Sequence, residues 1–341
     1  MLISLLAVLA VGAVAWLGSN AGFGLVFGVV LPYAAVAVFL VGLVLRMMYW
    51  GKSPVPFAIP TTGGQQKSLP FFRQAKLDNP DTQWGVVIRM VLEALCFRSL
   101  FRNTAADVRV DGPRVIYYSS KWLWLFALLF HYCFLLVFIR HFRFFTEPVP
   151  VCITWLETLD GIMQIGAPRL YMTGVIMLLA LGFLLSRRLF NNRLRYLSLP
   201  ADYFPLWLII GIVCTGIWMR YFGKTDVASI KEFIMALVSF APKNPTEIGK
   251  GAEIGGVFFA HLTLVSCLLM YFPFSKLTHM LGIFFSPTRN LPCNTRAVRH
   301  VNPWNPPKSY HTYAEYEDDF RELMHEAGLP LDKQPPQAAA E

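Results

Sequence analysis

Charge is scarce in this chain. Only 15% of its 341 residues are Asp, Glu, Lys or Arg, against about 25% in a soluble domain. Hydrophobic residues make up 55%, and the mean hydropathy is +0.47. This excludes a globular enzyme built on one buried core and implies a polytopic membrane protein. Paired cysteines are missing as well. Cys96, Cys133, Cys152, Cys214, Cys267 and Cys293 form neither CxxC nor CxxCH, so covalent c-type haem attachment is excluded. Cys133, Cys214 and Cys267 lie in apolar runs, where a thiol acts as a small hydrophobe. Neither an iron–sulfur cluster nor a disulfide framework is expected in this chain. The net charge of +9 does not call for nucleic acid, because membrane proteins carry Lys and Arg on cytoplasmic loops.

What is present is a series of apolar runs: 2–17, 23–45, 122–139, 170–186, 203–219 and 254–275. A helix crosses the roughly 30 Å hydrocarbon core with about 20 such residues. The first run lacks a basic n-region, so it reads as one arm of a transmembrane hairpin over 1–50 and not as a signal peptide. Residues 51–121 form a basic loop with ten Lys/Arg against five Asp/Glu. Its prolines keep 53–60 extended. A helix is expected from Asn79 to about Phe101. Trp84, Val87, Ile88, Val91, Leu92, Leu95 and Cys96 recur at helical spacing there, as in a helix on a membrane surface or under a partner subunit. A short hairpin is expected over 107–118, around Asp111-Gly112. The membrane domain proper is 122–285, with an amphipathic piece at 230–240. The tail, 286–341, is Pro-rich, then carries a short helix over about 313–327 and a disordered end. Lys and Arg cluster in 51–121, in 187–195 and at Arg289, Arg296 and Arg299, whereas the 146–168 loop holds only acids. Six spans with both termini cytoplasmic, in a cell inner membrane, satisfy that bias.

The chemistry resides in histidine. His300, His311 and His325 lie in the polar tail and carry no assigned role. His131, His141, His261 and His279 lie in or beside two apolar spans, where an ionisable group is costly and marks function. On an unbroken helix the eighteen residues from His261 to His279 make five turns, so both rings leave one face about 27 Å apart. A single zinc site with four converging ligands is thereby excluded. Two sites of two histidines remain. A haem iron brings four equatorial nitrogens and needs only two axial imidazoles, so two b haems fit the count. The antiparallel run of the third and sixth spans pairs His131 with His279 toward the cytoplasm and His141 with His261 toward the other face. The ten residues from His131 to His141 span only about 15 Å. Tilt, slanted haem planes and a bend at Pro273 would have to absorb the mismatch. Arg140, Arg143 and Lys276 are candidates for the haem propionates. Two stacked haems make an electron wire whose lipid-soluble substrate would be a quinol. Glu157, Asp160 and His141 are candidates for its proton acceptor. A histidine-relay transporter would call for inverted repeats and broken helices, and a passive anchor has no need of four placed histidines.

The spacings of ten and eighteen, with FPFSKLTH at 272–279, resemble the gamma-subunit family of membrane-bound respiratory nitrate reductase, a dihaem cytochrome b. That similarity is expected to cover the last five spans. SPVPFAIPTTGGQQ at 53–66, NPTEIG at 244–249 and the stretch 290–305 also resemble the DsrM family, the membrane cytochromes b of sulfite-reduction-associated (Dsr) complexes. The resemblance implies an all-α protein of six transmembrane helices with two haem b and menaquinone/menaquinol as substrate. It implies a cytoplasmic iron–sulfur partner like the catalytic subunit of heterodisulfide reductase (DsrK type), which exchanges electrons with the dithiol protein DsrC. Other membrane and periplasmic subunits, one a multihaem cytochrome c, complete such an assembly. A nitrate or heterodisulfide reductase is the alternative setting. The nitrate reductase family uses a lysine near its outer haem for quinol, and the 146–168 loop here has none.

Overall fold

Each long apolar run becomes a helix, because a segment in lipid must satisfy its own backbone N–H and C=O groups. The computed structural model describes all residues except 54, 56, 60–62, 110–113, 162–168, 224, 246–247, 249–253, 299–308 and 334–341. Among the described residues six helical spans are long and apolar enough to cross a membrane. They are Leu2–Phe23, Val26–Gly51, Lys121–Phe144, Met172–Phe190, Pro200–Phe222 and Gly256–Phe274.

In order, α1 (Leu2–Gly18) and α2 (Leu31–Gly51) are joined through π-helical turns at Ser19–Phe23 and Val26–Val30. Next come α3 (Gln83–Cys96) and α4 (Arg98–Arg102). Strands β1 (Thr104–Arg109) and β2 (Arg114–Ser119) pair antiparallel, with Thr104 opposite Ser119. The expected Asp111-Gly112 turn lies outside the described residues. Then come α5 (Lys121–His141), α6 (Val151–Asp160), α7 (Met172–Phe190), α8 (Asn192–Leu197), α9 (Pro200–Ile217) and α10 (Val227–Val238). The last two of this unit, Met1–Ala297, are α11 (Gly256–Tyr271) and α12 (His279–Gly282). A second unit, Val298–Glu341, holds α13 (Tyr313–Glu326). The end of the tail, expected to be disordered, lies outside the described residues from 334 on.

Three apolar clusters hold the first unit. Cys133 of α5 packs with Met177 and Leu181 of α7 and Ile209 and Val213 of α9. Val8 of α1 meets Leu208 of α9 and Leu264 of α11. Phe233 and Ile234 of α10 pack with Phe258 and Phe259 of α11. The amphipathic piece in the 223–252 loop is therefore a core element: Phe233 is fully buried. Asp226 starts that helix by accepting from the Ala228 N–H at 2.9 Å and the Ser229 hydroxyl at 2.5 Å. The Ser229 bond is the main cause that holds its carboxyl below the usual range. The acidic 146–168 stretch is likewise no simple loop, since Val151–Asp160 within it is α6.

The sixth span is not an unbroken helix, and it breaks at Pro273, where the sequence reading places a bend. α11 stops at Tyr271 and a 3-10 turn, Phe272–Phe274, follows. Pro273 has no N–H to continue the ladder. Ser275 is fully extended (φ −115°, ψ 177°), and its hydroxyl caps the Leu277 N–H at 3.1 Å. His279 then starts α12. The two histidines do not share one helix, so the five-turn, 27 Å construction does not apply to them.

Candidate functional site

His131 lies midway along α5. Its Nδ1 is 2.7 Å from the Ala127 carbonyl. A carbonyl only accepts, so Nδ1 carries the proton and Nε2 keeps its lone pair. His141 repeats the arrangement ten residues later, with Nδ1 2.6 Å from the Val137 carbonyl. His279 does so across the tight turn before α12, with Nδ1 2.8 Å from the Lys276 carbonyl. His261 has a different partner, the Thr215 hydroxyl of α9, at 2.8 Å. That hydroxyl also lies 2.8 Å from the Gly211 carbonyl and 3.0 Å from that of Ile212. Its one proton goes to a carbonyl, so its oxygen accepts from His261 Nδ1–H. All four rings thus hold the same tautomer, with Nε2 free for a metal, as ligating histidines do.

The break in the sixth span brings His279 back to α5. The His131 and His279 ring centroids are 6.1 Å apart, with planes crossed at 81°. One iron with an imidazole nitrogen about 2 Å away on each side would set the centroids about 6 Å apart. Phe97 and Phe130 each stand 5.0 Å from the His131 ring, edge on. A Cβ at Gly216 would touch His261 Cε1 at 3.4 Å. Among the described residues no three His, Cys, Asp or Glu side chains converge on one point. Two-imidazole donor sets fit a group that supplies its own equatorial ligands.

The cations and acids near these rings are paired with one another. Arg140 bonds Asp160, whose carboxylate also accepts from the Thr173 N–H at 2.8 Å and the Thr173 hydroxyl at 2.6 Å. Both side chains are nearly buried, and Asp160 is a brace, not a solvated loop acid. The Tyr171 ring is clasped by two guanidiniums, Arg140 at 3.8 Å and Arg220 at 4.0 Å. Arg143 bonds Glu157 at 2.8 Å, and Lys276 bonds Asp202 at 2.6 Å. Each cation expected at a propionate therefore already has a carboxylate partner. Thr215 is the residue that the histidine pattern alone does not reveal. The Thr215-Gly216 pair on an apolar span was its available signal, because small and hydroxyl residues mark helix–helix contacts in lipid.

Spans of this length define a multi-pass helical membrane protein, and its four histidines share one ring arrangement, with Nδ1 toward an oxygen. The chain matches the model of the nitrate reductase gamma subunit over residues 82–299 and belongs to that family. The match takes in four of the six spans, one fewer than expected. The chain is 47% identical over 286 residues to the Hdr-like menaquinol oxidoreductase cytochrome b-like subunit of Archaeoglobus fulgidus, covering 83% of this chain and 84% of that protein. It is 42% identical over 280 residues to the protein of the same description in Archaeoglobus profundus, covering 81% and 82%. The respiratory nitrate reductase 1 gamma chain of Escherichia coli K12 is 28% identical over 161 residues, 46% of this chain and 69% of that one.

Proposed function

We propose that this chain is the cytochrome b subunit of a quinol-linked membrane oxidoreductase, with His131–His279 and His141–His261 as axial pairs for two b haems. The observation that carries the reading is the common state of the four rings, each with Nδ1 held by an oxygen and Nε2 left free. A bound haem supplies one-electron chemistry and the four equatorial nitrogens. The protein's part is to fix the rings, exclude water and set their basicity through the Nδ1 partners.

The names of the two archaeal relatives support menaquinol as the lipid-soluble partner. Together with the motif resemblance they support a Dsr-type setting: DsrM beside a DsrK-type iron–sulfur subunit, with DsrC and a multihaem cytochrome c further along the route. The nitrate reductase gamma relative keeps a nitrate reductase setting as the second reading. The Lys/Arg bias supports an inner membrane with both termini on the cytoplasmic side. Of the groups considered for the quinol proton, we favour Glu157. Asp160 is fully engaged by Arg140 and Thr173, and His141 is assigned to ligation. Among the described residues Glu157 is held by Arg143, through Oε1.

The test is an optical redox titration with pyridine haemochrome quantitation on wild type, His131→Ala and His261→Ala. About two b haems per chain, with each variant losing a different one, is the expected result. No haem, or one haem untouched by either change, overturns the reading. Co-purifying subunits then decide between the two settings.

A further inference from the structure

α3 presents its faces the reverse way to a helix in water. Its charged residues Arg89 and Glu93 are turned to the chain, 6% and 8% exposed, together with Val86. Its outward stripe is Trp84, Val87, Ile88, Val91 and Leu95, all exposed, with Trp84 at 79%. These positions fall at i, i+3, i+4, i+7 and i+11, a continuous apolar face.

The C-terminal end of α3 indicates the medium around that face. The last carbonyls of a helix have no partner within it, and water normally supplies one. Here side chains of the third span do so. Tyr132 Oη donates to the Leu95 carbonyl at 3.0 Å, and Trp124 Nε1 donates to that of Cys96 at 2.7 Å. The Leu92 carbonyl accepts from Phe97, which closes the helix in the left-handed region at φ +50°. A helix end at hydrocarbon depth must be satisfied in this way. Tyr132 is eleven residues into α5, about 16 Å along its axis, with its ring leaning back toward the helix start. The end of α3 therefore lies beside the first half of a membrane span. Phe101 packs on Trp124 at 4.9 Å, and the exposed Trp122 continues the stripe onto α5. Arg98 and Arg102 pair with Asp78 beyond this end, and Lys121 lies over the Phe101 ring at 5.4 Å.

We propose that α3 is embedded in the bilayer leaflet that the third span enters, with its stripe among the acyl chains and its Arg89–Glu93 face against protein. Continuity with the exposed apolar surface of α5 and carbonyls capped by side chains of that same span favour lipid over a partner subunit. The placement rests on the membrane-spanning character of the chain and not on haem. It also gives the inner histidine pair a wall at membrane depth, because Phe97 at the end of α3 stands against His131.

The test uses the intact complex in lipid nanodiscs. Cys96, Cys152, Cys214 and Cys267 are changed to Ser, and a nitroxide is placed at Trp84→Cys, Ile88→Cys or Val91→Cys. Val86→Cys serves as the inward control. Collision with oxygen, which partitions into lipid, is compared with collision with a water-soluble nickel chelate. The expected result is high oxygen and low nickel access at 84, 88 and 91, with both low at 86. High nickel access at the stripe, or exclusion of both relaxers there, overturns the proposal. The first places the face in water and the second under a partner protein. Absorbance of the haems in the same samples reports folding separately.

Discussion

Thr215→Val is the most direct probe of the proposed outer haem site. The exchange keeps the shape of the side chain and removes only the hydroxyl that accepts from His261 Nδ1–H. Gly211 and Ile212 lose nothing essential, because their carbonyls remain in the helix ladder. The bond to an axial imidazole raises its basicity and so favours the ferric state. Without it the reduced state gains, and the potential of that haem rises. One such bond has a net value of about 0.5–1.5 kcal/mol. At about 1.4 kcal/mol and about 59 mV per tenfold change in a one-electron couple, the rise is about 20–65 mV. A spectroelectrochemical titration resolves this as a shift in one of two midpoints, and the haem lost in His261→Ala identifies which. Thr215→Ser should keep the wild-type value. An unchanged outer midpoint at full haem content, or an equal shift of the inner haem, would refute the argument that Thr215 sets the His261 tautomer.

Three further outcomes are expected. Asp160→Asn leaves Arg140 charged and nearly buried without its anion, so stability falls by about 3–5 kcal/mol; thermal melting in detergent reads this, and adding Arg140→Gln should restore part of it. Gly42→Ala places a methyl 2.7 Å from the buried Pro273 ring, costing about 1–3 kcal/mol by overpacking; inner-haem occupancy should drop before outer-haem occupancy does. In the second unit, burial works against ionising Glu317, but bonds from the Asp332 and Lys333 N–H groups at 2.7 and 2.8 Å and from Arg321 outweigh it and hold its carboxyl below the usual range. A lowered folded pKa stabilises above the unfolded value of about 4.3. That contribution fades as pH falls through the folded pKa, so protection of the Asp332 and Lys333 amides relative to their intrinsic exchange rates should fall there, and Glu317→Gln should show low protection at neutral pH.

The spans were legible because a membrane helix depends on a local property, an unbroken apolar run. The four histidines stood out for a related reason, since ionisable groups at membrane depth are few. Thr215 was hidden because its role depends on which helix α11 packs against, and no periodicity reports that. The reversed face of α3 was half legible. The stripe could be counted, but not which side of it the chain would cover. The pairing of Glu157 and Asp160 was hidden because their partners Arg143 and Arg140 lie on the preceding span, and only the fold brings Thr173 to Asp160.

The broken sixth span also explains what the first hairpin contributes. A continuous helix from His261 would carry His279 about 27 Å along its axis, while its proposed partners on α5 are ten residues apart. The extended Ser275 and two 3-10 turns shorten and redirect that path, yet a break in lipid needs support for the backbone groups it frees. Part of that support is internal: Ser275 Oγ caps Leu277, and Thr278 Oγ1 donates to the Ser275 carbonyl at 2.8 Å. The broken segment is also packed by α2, which precedes the 82–299 region shared with the family. Gly42 admits the Pro273 ring, Phe39 meets Phe272 at 5.5 Å, and Trp50 meets Phe285 at 5.8 Å. These contacts flank His279 on both sides in sequence. α2 therefore clamps the segment that carries His279, one histidine of the proposed inner pair. Loosening the clamp should disturb the inner site while leaving His261, anchored to α9 through Thr215, in place.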